Sequence, residues 1–459
     1  MAFNFRGTIR TSEARQRVLC LELLVEMCKV GSGIPSLFVD EDVADVARIV
    51  IEQKIYEDEA FFLCDVREIK RNVSLWQQEL PEIQPYYCVR CCSDYVVLKS
   101  LSLSGVNFAC GSKHEMRILL DMGVNENRIL YNSTTKCPSH LKFAEECGVR
   151  LMCCDSAADM KRINGDTARL LLRIAVHDSS KQAFLNDQFG CSLGEAEQLM
   201  NLAKENQLSI VGVSFDMGVI AGTDEAFLLT LRNARAVFDL GLRMGFPMTV
   251  LDIGGGFPIA SQNNQEFKQV CHLVSSALKT YFPSSSGTTV IAEPGQFLVA
   301  SSYTLAAKVV GKRTKESFLD GKCKFYKEVF INESKYNSIP RHAGEARGIS
   351  IRPLLERNDQ PRNVLTAFWA ATSNPRDLIF DKQLFWPVEV NEWLLINNIG
   401  AYSLVLACSF NGSGMPPVVY VASTHDADTV SKGIAAASVS SGYPQMERAI
   451  KSVRGSTYC

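Results

Sequence analysis

Long apolar runs and targeting patterns are missing from this sequence. No apolar stretch reaches the roughly 18 residues that a membrane-spanning helix needs, and the opening segment MAFNFRGTIRTSEARQR does not resemble a secretory signal. Heptad repeats and low-complexity segments are absent as well. We therefore expect a protein that makes no membrane contact and is found in the cytoplasm, with the nucleus left open as a second location.

A surplus of charge of one sign is also lacking. The 48 Lys and Arg residues nearly balance the 50 Asp and Glu residues, which leaves a formal net charge of -2. Nucleic-acid-binding surfaces carry a clear basic excess. Bulk charge therefore gives no support for a nucleic acid partner.

No spaced framework of cysteines or histidines is present. The 16 cysteines include adjacent pairs inside apolar segments, at Cys91-Cys92 and Cys153-Cys154. Cys88 and Cys91 have a Cys-x-x-Cys spacing, but they fall in a predicted buried strand, and no second pair stands at zinc-site distance. The six histidines form no recognisable Ser/His/Asp arrangement. We predict reduced cysteines and no metal site.

What the chain does contain is length and a repeated strand-helix unit. With 459 residues, 46% of them hydrophobic, it can bury a large core and divide into two domains. The predicted strands of the repeat are 86–92, 106–111, 128–132, 150–155, 168–176, 209–215, 248–255 and 288–295. Eight such units predict a closed (β/α)8 barrel of the TIM type, and an open doubly wound sheet is the alternative.

After residue 300 the helical pattern stops. Strand-like segments separated by Gly, Pro, Asn and Asp, among them 401–410, predict an antiparallel β-sandwich or barrel, whereas 341–363 reads as a polar loop. The predicted organisation is an N-terminal segment 1–58 that packs on the β domain, a barrel 59–302, a β domain 303–424 and a tail 425–459. The tail is weakly patterned, so we expect it to be partly disordered.

The segment 209–258 organises the barrel. It reads as strand, helix and strand, and it leads into Gly254, Gly255 and Gly256, a turn whose backbone N–H groups can approach an anion closely. The other strands place Arg90, Ala109, Asn132, Asp155, Arg173, Asp216 and Glu293 at the same end of the barrel. A glycine-rich anion turn beside a single acidic residue on the next strand suggests a phosphorylated cofactor with a basic ring atom.

The chain resembles the eukaryotic ornithine decarboxylases and their non-catalytic relatives, the antizyme inhibitors, over roughly residues 30–420. The resemblance rests on the order and spacing of segments such as PYYCVRC, RLLLRIAVHDS, VGVSFDMG, VLDIGGGFP, IAEPGQFLVASSYTLA and NNIGAYSL. It implies an alanine-racemase-like barrel that holds pyridoxal phosphate, followed by a β domain that N-terminal residues complete.

Several positions depart from the pattern of the active enzymes. The lysine that holds the cofactor as a Schiff base is Arg90 here, and a guanidinium stays protonated and cannot act as the amine nucleophile. The catalytic cysteine and the substrate-binding aspartate are Ser373 and Asn374. Further differences are Ala109 for an acidic residue, Asp216 for a histidine that stacks on the ring, Val219 for a phosphate-binding serine and Gln296 for an arginine.

Other family positions persist, namely Arg173, Gly254, Gly255, Gly256, Glu293 and Tyr402. The resemblance implies that Glu293 pairs with the pyridinium nitrogen and that Tyr402 helps to bind the phosphate. Each also has a structural explanation, such as a buried ion pair or a turn that only glycine can adopt. We interpret them as vestigial and expect no cofactor. We also hypothesise that Arg90 reaches toward Glu293 and neutralises it.

The resemblance also implies a protein partner. Antizyme inhibitors capture antizyme, and the corresponding segment 121–149 keeps the basic residues Arg128, Lys136 and Lys142, although each of them can equally be a solvated surface charge. The lysine that helps to join the subunits is Gln188, while its acidic counterpart remains as Asp377. We expect a monomer or a weak homodimer, and a heterodimer with ornithine decarboxylase stays open.

Two functions follow from the sequence. The first is a catalytically inactive regulator of polyamine metabolism that binds antizyme. The alternative is a pyridoxal-phosphate-dependent amino-acid decarboxylase with an altered site and a substrate other than ornithine. An inert paralogue that does neither is a third, milder possibility.

Overall fold

The computed structural model describes residues 37–165, 167–176, 189–220, 223–260, 264–319, 322–341, 348–355 and 361–439. Numbered along the chain, the strands are β1 (Leu37–Val39), β2 (Phe61–Asp65), β3 (Ile83–Cys88), β4 (Asn107–Cys110), β5 (Ile129–Tyr131), β6 (Leu151–Cys154), β7 (Arg169–Arg173), β8 (Ser209–Ser214), β9 (Val250–Asp252), β10 (Thr289–Ala292), β11 (Tyr303–Leu319), β12 (Lys322–Ile331), β13 (Ser350–Pro353), β14 (Val364–Ala370), β15 (Leu378–Phe385), β16 (Trp393–Asn397) and β17 (Val418–Ala422). The α-helices are α1 (Val43–Glu52), α2 (Val66–Glu79), α3 (Tyr95–Leu103), α4 (Lys113–Asp121), α5 (Pro138–Glu146), α6 (Ala157–Met160), α7 (Leu193–Glu205), α8 (Asp224–Arg243), α9 (Gln265–Tyr281), α10 (Gln296–Val299) and α11 (Ala427–Val439).

Strands β3 to β10 close into a parallel barrel, in which β10 pairs with both β9 and β3. Their sequences are almost continuously apolar because both faces of each strand are buried. Side chains that point inward fill the barrel, and they come from Tyr86, Cys88, Ala109, Leu130, Cys153, Leu171, Val211, Val250 and Ile291. The predicted (β/α)8 barrel is therefore confirmed, and the open doubly wound sheet is wrong.

The helices around the barrel begin at side chains that cap them. The Asp65 carboxylate accepts a hydrogen bond from the backbone N–H of Arg67 at the start of α2, at 3.0 Å. Ser192 and Glu195 form a reciprocal capping box at the start of α7. Such caps satisfy backbone N–H groups that the first helical turn leaves unpaired. They fix the residue at which each of these helices begins.

The remaining strands form a second sheet of nine strands in the part of the chain that the structure describes. The main path runs β1, β17, β2, β11, β12, β14 and β15, while β16 pairs with β11 and β13. The pairs β1–β17, β17–β2 and β12–β14 are parallel, so the sheet is mixed and the expectation of an antiparallel domain holds for only part of it.

N-terminal strands complete this second sheet, as the resemblance implied. β1 and β2 both join it, although β2 falls inside the range 59–302 predicted for the barrel. The first strand after the barrel, β11, begins at Tyr303, where the β domain was predicted to start. Residues 1–36 of the predicted N-terminal segment lie outside the described residues.

Three local predictions differ from the structure. Part of the tail predicted to be disordered is helix α11, whose Val430 and Ile434 are buried where the helix packs on α3. The segment 401–410 forms short 3-10 turns rather than a strand. The predicted loop 341–363 contains β13, because Ile351 is buried where this strand pairs with β16. None of the helices described here is both long and apolar enough to cross a membrane.

Candidate functional site

The glycine turn lies at the carboxyl end of β9, facing the loop that follows β8. Gly254 and Gly256 have φ values of 66° and 92°, in the left-handed region that side chains disfavour. A Cβ on Gly254 would lie 2.3 Å from the carbonyl oxygen of Phe215, so this turn also requires glycine for space. The turn therefore packs directly against the backbone that carries Asp216.

Asp216 occupies the N–H donors at this turn. Its Oδ1 accepts hydrogen bonds from the backbone N–H groups of Gly218 at 3.0 Å and Gly255 at 3.3 Å. Its Oδ2 lies 3.6 Å from a guanidinium nitrogen of Arg173, at the end of β7. Both side chains are largely buried, with 15% of Arg173 and 23% of Asp216 exposed. One carboxylate thus receives two amides and a guanidinium at the mouth of the barrel.

Arg90 lies on the 3-10 turn that follows β3, and it is exposed to solvent. Its pKa is raised above the usual arginine value, chiefly by the neighbouring Cys88 and then by Glu293, Tyr402 and Asp216, with partial desolvation acting in the opposite direction. The side chain therefore stays positively charged. Its neighbours are carboxylates or groups that become negative when they lose a proton.

Tyr402 comes to the same place from the β domain. Its backbone N–H donates to the carbonyl oxygen of Cys91 at 2.9 Å, and its φ of 56° places it in the left-handed region. Burial raises the pKa of the Tyr402 hydroxyl, and nearby Cys91, Cys88 and Asp216 raise it further while Arg90 lowers it. The phenol therefore stays neutral at physiological pH.

Glu293 follows β10, and its carboxylate accepts hydrogen bonds from other residues of the barrel. Its Oε2 accepts a hydrogen bond from the Asn132 side-chain amide at 2.6 Å and another from the Cys88 thiol at 3.1 Å. No ion pair joins Arg90 to Glu293 among the described residues, so the predicted direct pairing of these two side chains is wrong. The Glu293 charge is one of the influences that raise the pKa of Arg90.

A second buried acid lies beside Glu293. The carboxyls of Asp252 and Glu293 and the Cys153 thiol are buried and lie within 4.8 Å of one another. Burial and the neighbouring Glu293 charge hold the pKa of Asp252 well above its usual range, and burial raises the pKa of Cys153. Ser214 donates to Asp252 at 2.7 Å and the N–H of Gly254 donates at 3.0 Å. This donor set suits two carboxyls that share a proton.

A family model described as "Pyridoxal-dependent decarboxylase, pyridoxal binding domain" matches residues 66–300, which is more than half of the chain. Ornithine decarboxylase from Mus pahari is 32% identical over 402 residues, covering 83% of this chain and 86% of the relative. The chain belongs to the ornithine decarboxylase and antizyme inhibitor family.

Antizyme inhibitors match at the same level. Antizyme inhibitor 2 from Xenopus laevis is 32% identical over 385 residues, covering 81% of this chain and 83% of the relative. Antizyme inhibitor 1 from Pongo abelii is 32% identical over 394 residues, covering 82% and 87%. Among solved structures, the arginine decarboxylase of Paramecium bursaria Chlorella virus bound to agmatine has a TM-score of 0.75 at 26% identity, covering 82% of this chain and 100% of that chain.

The structure brings most of the predicted site residues together at the mouth of the barrel, but not Ser373 and Asn374. Ser373 and Asn374 lie in the turn between β14 and β15, where Asn374 Oδ1 accepts from the N–H of Arg376 at 2.9 Å. Within the described residues, no hydrogen bond or ion pair joins this turn to the barrel site.

The altered family positions at the barrel mouth offer little to a ligand. Ala109 is fully buried and has no polar side chain, and Val219 is 39% exposed. Gln296 uses its amide to donate to the carbonyl oxygen of Phe257 at 3.0 Å. None of the three supplies a charge where the family pattern has a polar or charged group.

The predicted partner residues lie in three different environments. Lys136 is 1% exposed, and its ammonium donates to the Cys153 carbonyl oxygen and lies 3.5 Å from Asp159. It is therefore a buried structural cation, and in this conformation it cannot present its charge to a partner. Lys142, in contrast, is 77% exposed in its side chain.

Arg128 is half-buried and caps a neighbouring element. Its guanidinium donates to the carbonyl oxygens of Ser102 at 3.0 Å and Val106 at 2.7 Å. These carbonyls belong to the end of α3 and the connection to β4. Arg128 therefore already fulfils a structural role, and Lys142 is the freest of the three predicted residues.

Asp377, the predicted counterpart in the dimer, is fully buried. Its Oδ2 accepts from the hydroxyls of Ser334 and Thr372, each at 2.7 Å, and its Oδ1 accepts from the N–H of Lys335 at 3.0 Å. These bonds turn its carboxylate into the protein. Gln188, the other predicted position, lies outside the described residues.

Sequence reasoning missed Asp252 altogether, and it missed the contacts that Asn132 and Asp216 make in this site. Asp252 directly precedes the glycine turn, and an acid inside an apolar strand was the available signal for a protonated partner of Glu293. Asn132 was placed at a strand end without a role, although amides commonly satisfy buried carboxylates. Asp216 was read as a lost histidine, and its bond to the turn needed coordinates.

Proposed function

We propose that this chain is a catalytically inactive member of its family that binds antizyme in the cytoplasm and so regulates polyamine biosynthesis and uptake. The observation that carries the proposal is Arg90 at the end of β3, the position of the family's Schiff-base lysine. A guanidinium that stays protonated has no free electron pair with which to form an imine. The raised pKa of Arg90 supports this reasoning.

The other groups do not fit pyridoxal phosphate either. Asp216 already uses the N–H of Gly255 and faces Arg173, so a phosphate would meet a carboxylate where it needs donors. Glu293 is already bonded to Asn132 and Cys88. These groups therefore already contact one another and are not free for the cofactor.

Overall similarity does not decide between enzyme and regulator, because decarboxylases and antizyme inhibitors are both 32% identical to the chain. The choice depends on individual residues. A pyridoxal-phosphate-dependent decarboxylase with an altered substrate is the alternative, and the retained Gly254–Gly256 turn, Arg173 and Tyr402 are the observations that favour it.

The surface that supports antizyme binding lies on α4 and α5. The cations of Lys113 and Arg117 lie 5.0 and 5.2 Å from the centre of the Phe143 ring, and Lys142, whose ammonium lies 3.8 Å from the Glu146 carboxylate, is exposed on the same helix as Phe143. An aromatic ring among cations suits an acidic partner, since the charges steer association and the ring adds contact area. Complementary charge on antizyme is the chemistry this surface would recognise.

The first test is an absorbance spectrum of the purified protein mixed with pyridoxal phosphate, before and after borohydride. We expect no internal-aldimine band and no reduced adduct, because the position that would form the imine is Arg90. A reducible band together with release of carbon dioxide from an amino acid would establish the alternative instead.

The second test is antizyme binding measured by biolayer interferometry. We expect wild type to bind and the charge reversals Arg117→Glu and Lys142→Glu to weaken binding, mainly through a slower association rate. Lys279→Glu, an exposed position on α9, is the matched control and should bind as wild type does. Absence of binding by wild type would overturn the proposal and leave an inert paralogue.

A further inference from the structure

Asp216 makes the contacts that an external oxyanion would make at the glycine turn. Two backbone N–H groups, from Gly218 and Gly255, point at its Oδ1, and the Arg173 guanidinium faces its Oδ2. Backbone N–H groups in a glycine turn with a nearby guanidinium are a general arrangement for binding phosphate or sulfate. In this chain the anion is part of the protein.

The backbone holds this carboxylate in place. The bond from Gly218 N–H to Asp216 closes a local turn, and a Cβ on Gly254 would lie 2.6 Å from the Cα of Asp216. The loop after β8 and the glycine turn therefore lie in direct contact, and this places the Asp216 side chain within hydrogen-bond distance of the Gly255 N–H. Arg90 and Tyr402 lie close enough for the Asp216 charge to raise their pKa values.

We propose that Asp216 is an internal substitute for a tetrahedral oxyanion, and that the glycine turn with Arg173 is a latent phosphate or sulfate site that this carboxylate keeps closed. A second anion at the same donors would meet a like charge only a few ångströms away, which disfavours its entry. Removing the carboxylate leaves the Gly255 N–H and the Arg173 guanidinium without this acceptor. An external anion would then satisfy both groups.

The experiment compares wild type with Asp216→Ala and Asp216→Ser by isothermal titration with inorganic phosphate, after circular dichroism has shown that each variant is folded. We expect saturable phosphate binding in both variants, at least about tenfold tighter than in wild type. Adding Arg173→Ala to either variant should abolish this binding. Neither alanine nor serine offers a carboxylate to the Gly255 N–H. Either variant is therefore a sufficient test if the other does not fold.

The control for the change in net charge is Asp239→Ala, which removes an aspartate that pairs with Arg235 on helix α8. This variant changes the net charge equally and should bind phosphate no better than wild type. Wild type that binds phosphate as tightly as Asp216→Ala would overturn the proposal, and so would folded variants that bind none. The assay uses neither antizyme nor an amino acid, so its failure is distinguishable from failure of the proposed function.

Discussion

Lys136 carries the same charge as Lys142 but lies in a different environment. Its ammonium is enclosed by the Cys153 carbonyl oxygen, the Asp159 carboxylate and the Tyr131 ring, whose centre is 5.5 Å away. The sequence could predict that a basic residue stands at this position, but not that its side chain turns inward. The reason is that the fold places Asp159, 23 residues later, directly beside it.

Replacing Lys136 with alanine should destabilise the protein, because Asp159 would lose one of its two cations and a buried space would open. We expect the free energy of unfolding to fall by about 2 to 4 kcal/mol. Lys142→Ala, at an exposed position, should change it by less than about 0.5 kcal/mol. Urea unfolding followed by circular dichroism measures both. Equal effects of the two substitutions would contradict the burial of Lys136.

Glu333 is a buried carboxyl that follows β12, and the sequence offered no signal for it. Burial raises its pKa to about 7, although the N–H of Ser334 and the amide of Asn337 donate to it at 2.7 and 3.3 Å. The folded pKa lies above the ordinary value of 4.5. The folded protein therefore holds this proton more tightly than the unfolded chain does.

The sign of the pH dependence follows from this difference. The contribution of Glu333 to stability is fully present below about pH 4.5 and is lost as the pH rises through about 7, a loss of about 3 kcal/mol. Glu333→Gln should remove this pH dependence, so the stabilities of wild type and variant should diverge in favour of the variant between about pH 4.5 and 7, and the difference should stay constant at higher pH. Urea unfolding of both proteins across this range is the measurement, and parallel pH profiles would contradict the prediction.

At the scale of elements, the barrel was predictable and parts of the β domain were not. Eight apolar strands with helices between them leave closure as the simplest way to bury both faces, and the strand ends then locate Arg90, Arg173 and Glu293 together. Short strands outside the repeat lack such support. β13 has four residues and depends on its partner β16 for burial, and periodicity cannot detect that dependence.

Helix α11 depends in the same way on what it contacts. Its composition of Ala, Ser and Gly predicted disorder, but Val430 and Ile434 are 1% and 4% exposed. Gly433 lies against α3, where an added Cβ would meet the Val96 side chain at 3.4 Å. Docking on α3 therefore supplies the stability that the isolated helix lacks.

Ile434→Asp should release α11 from α3, because a buried unpaired carboxylate costs more than the local docking of one helix provides. We expect faster hydrogen exchange over 427–439 and in α3, with exchange in the barrel strands unchanged. Lys432→Asp changes an exposed residue of the same helix, 75% exposed in its side chain, and serves as the control. Unchanged exchange in the Ile434 variant would contradict the docking of this helix.

At the scale of the whole molecule, the scaffold of the family is kept while the barrel mouth is closed by the chain's own groups. Glu293 is bonded to Asn132 and Cys88, and the Gly255 N–H is bonded to Asp216. These replacements satisfy polar groups that would otherwise be buried without partners. On the function proposed above, the barrel would need no ligand to satisfy these groups.

The buried carboxylate of Asp377 bears on the oligomeric state. The family resemblance implies that an acidic residue at the position of Asp377 pairs with a lysine whose position is Gln188 here. Asp377 is fully buried, and its oxygens accept from Ser334, Thr372 and the N–H of Lys335. A carboxylate already bonded in this way gains little from a new partner, because the new bond would replace existing ones.

We therefore predict that the chain is a monomer or a weak dimer and that Gln188→Lys, which restores the lysine, does not create a tight dimer. Sedimentation velocity of wild type and of Gln188→Lys, from nanomolar to micromolar concentration, is the measurement. Asp377→Ala is the matched control, and it should lower the free energy of unfolding without changing the sedimentation of the folded fraction. A dimer that persists at nanomolar concentration in wild type would contradict the prediction. A tight dimer only in Gln188→Lys would show that Asp377 can leave its internal partners for a cation on another subunit.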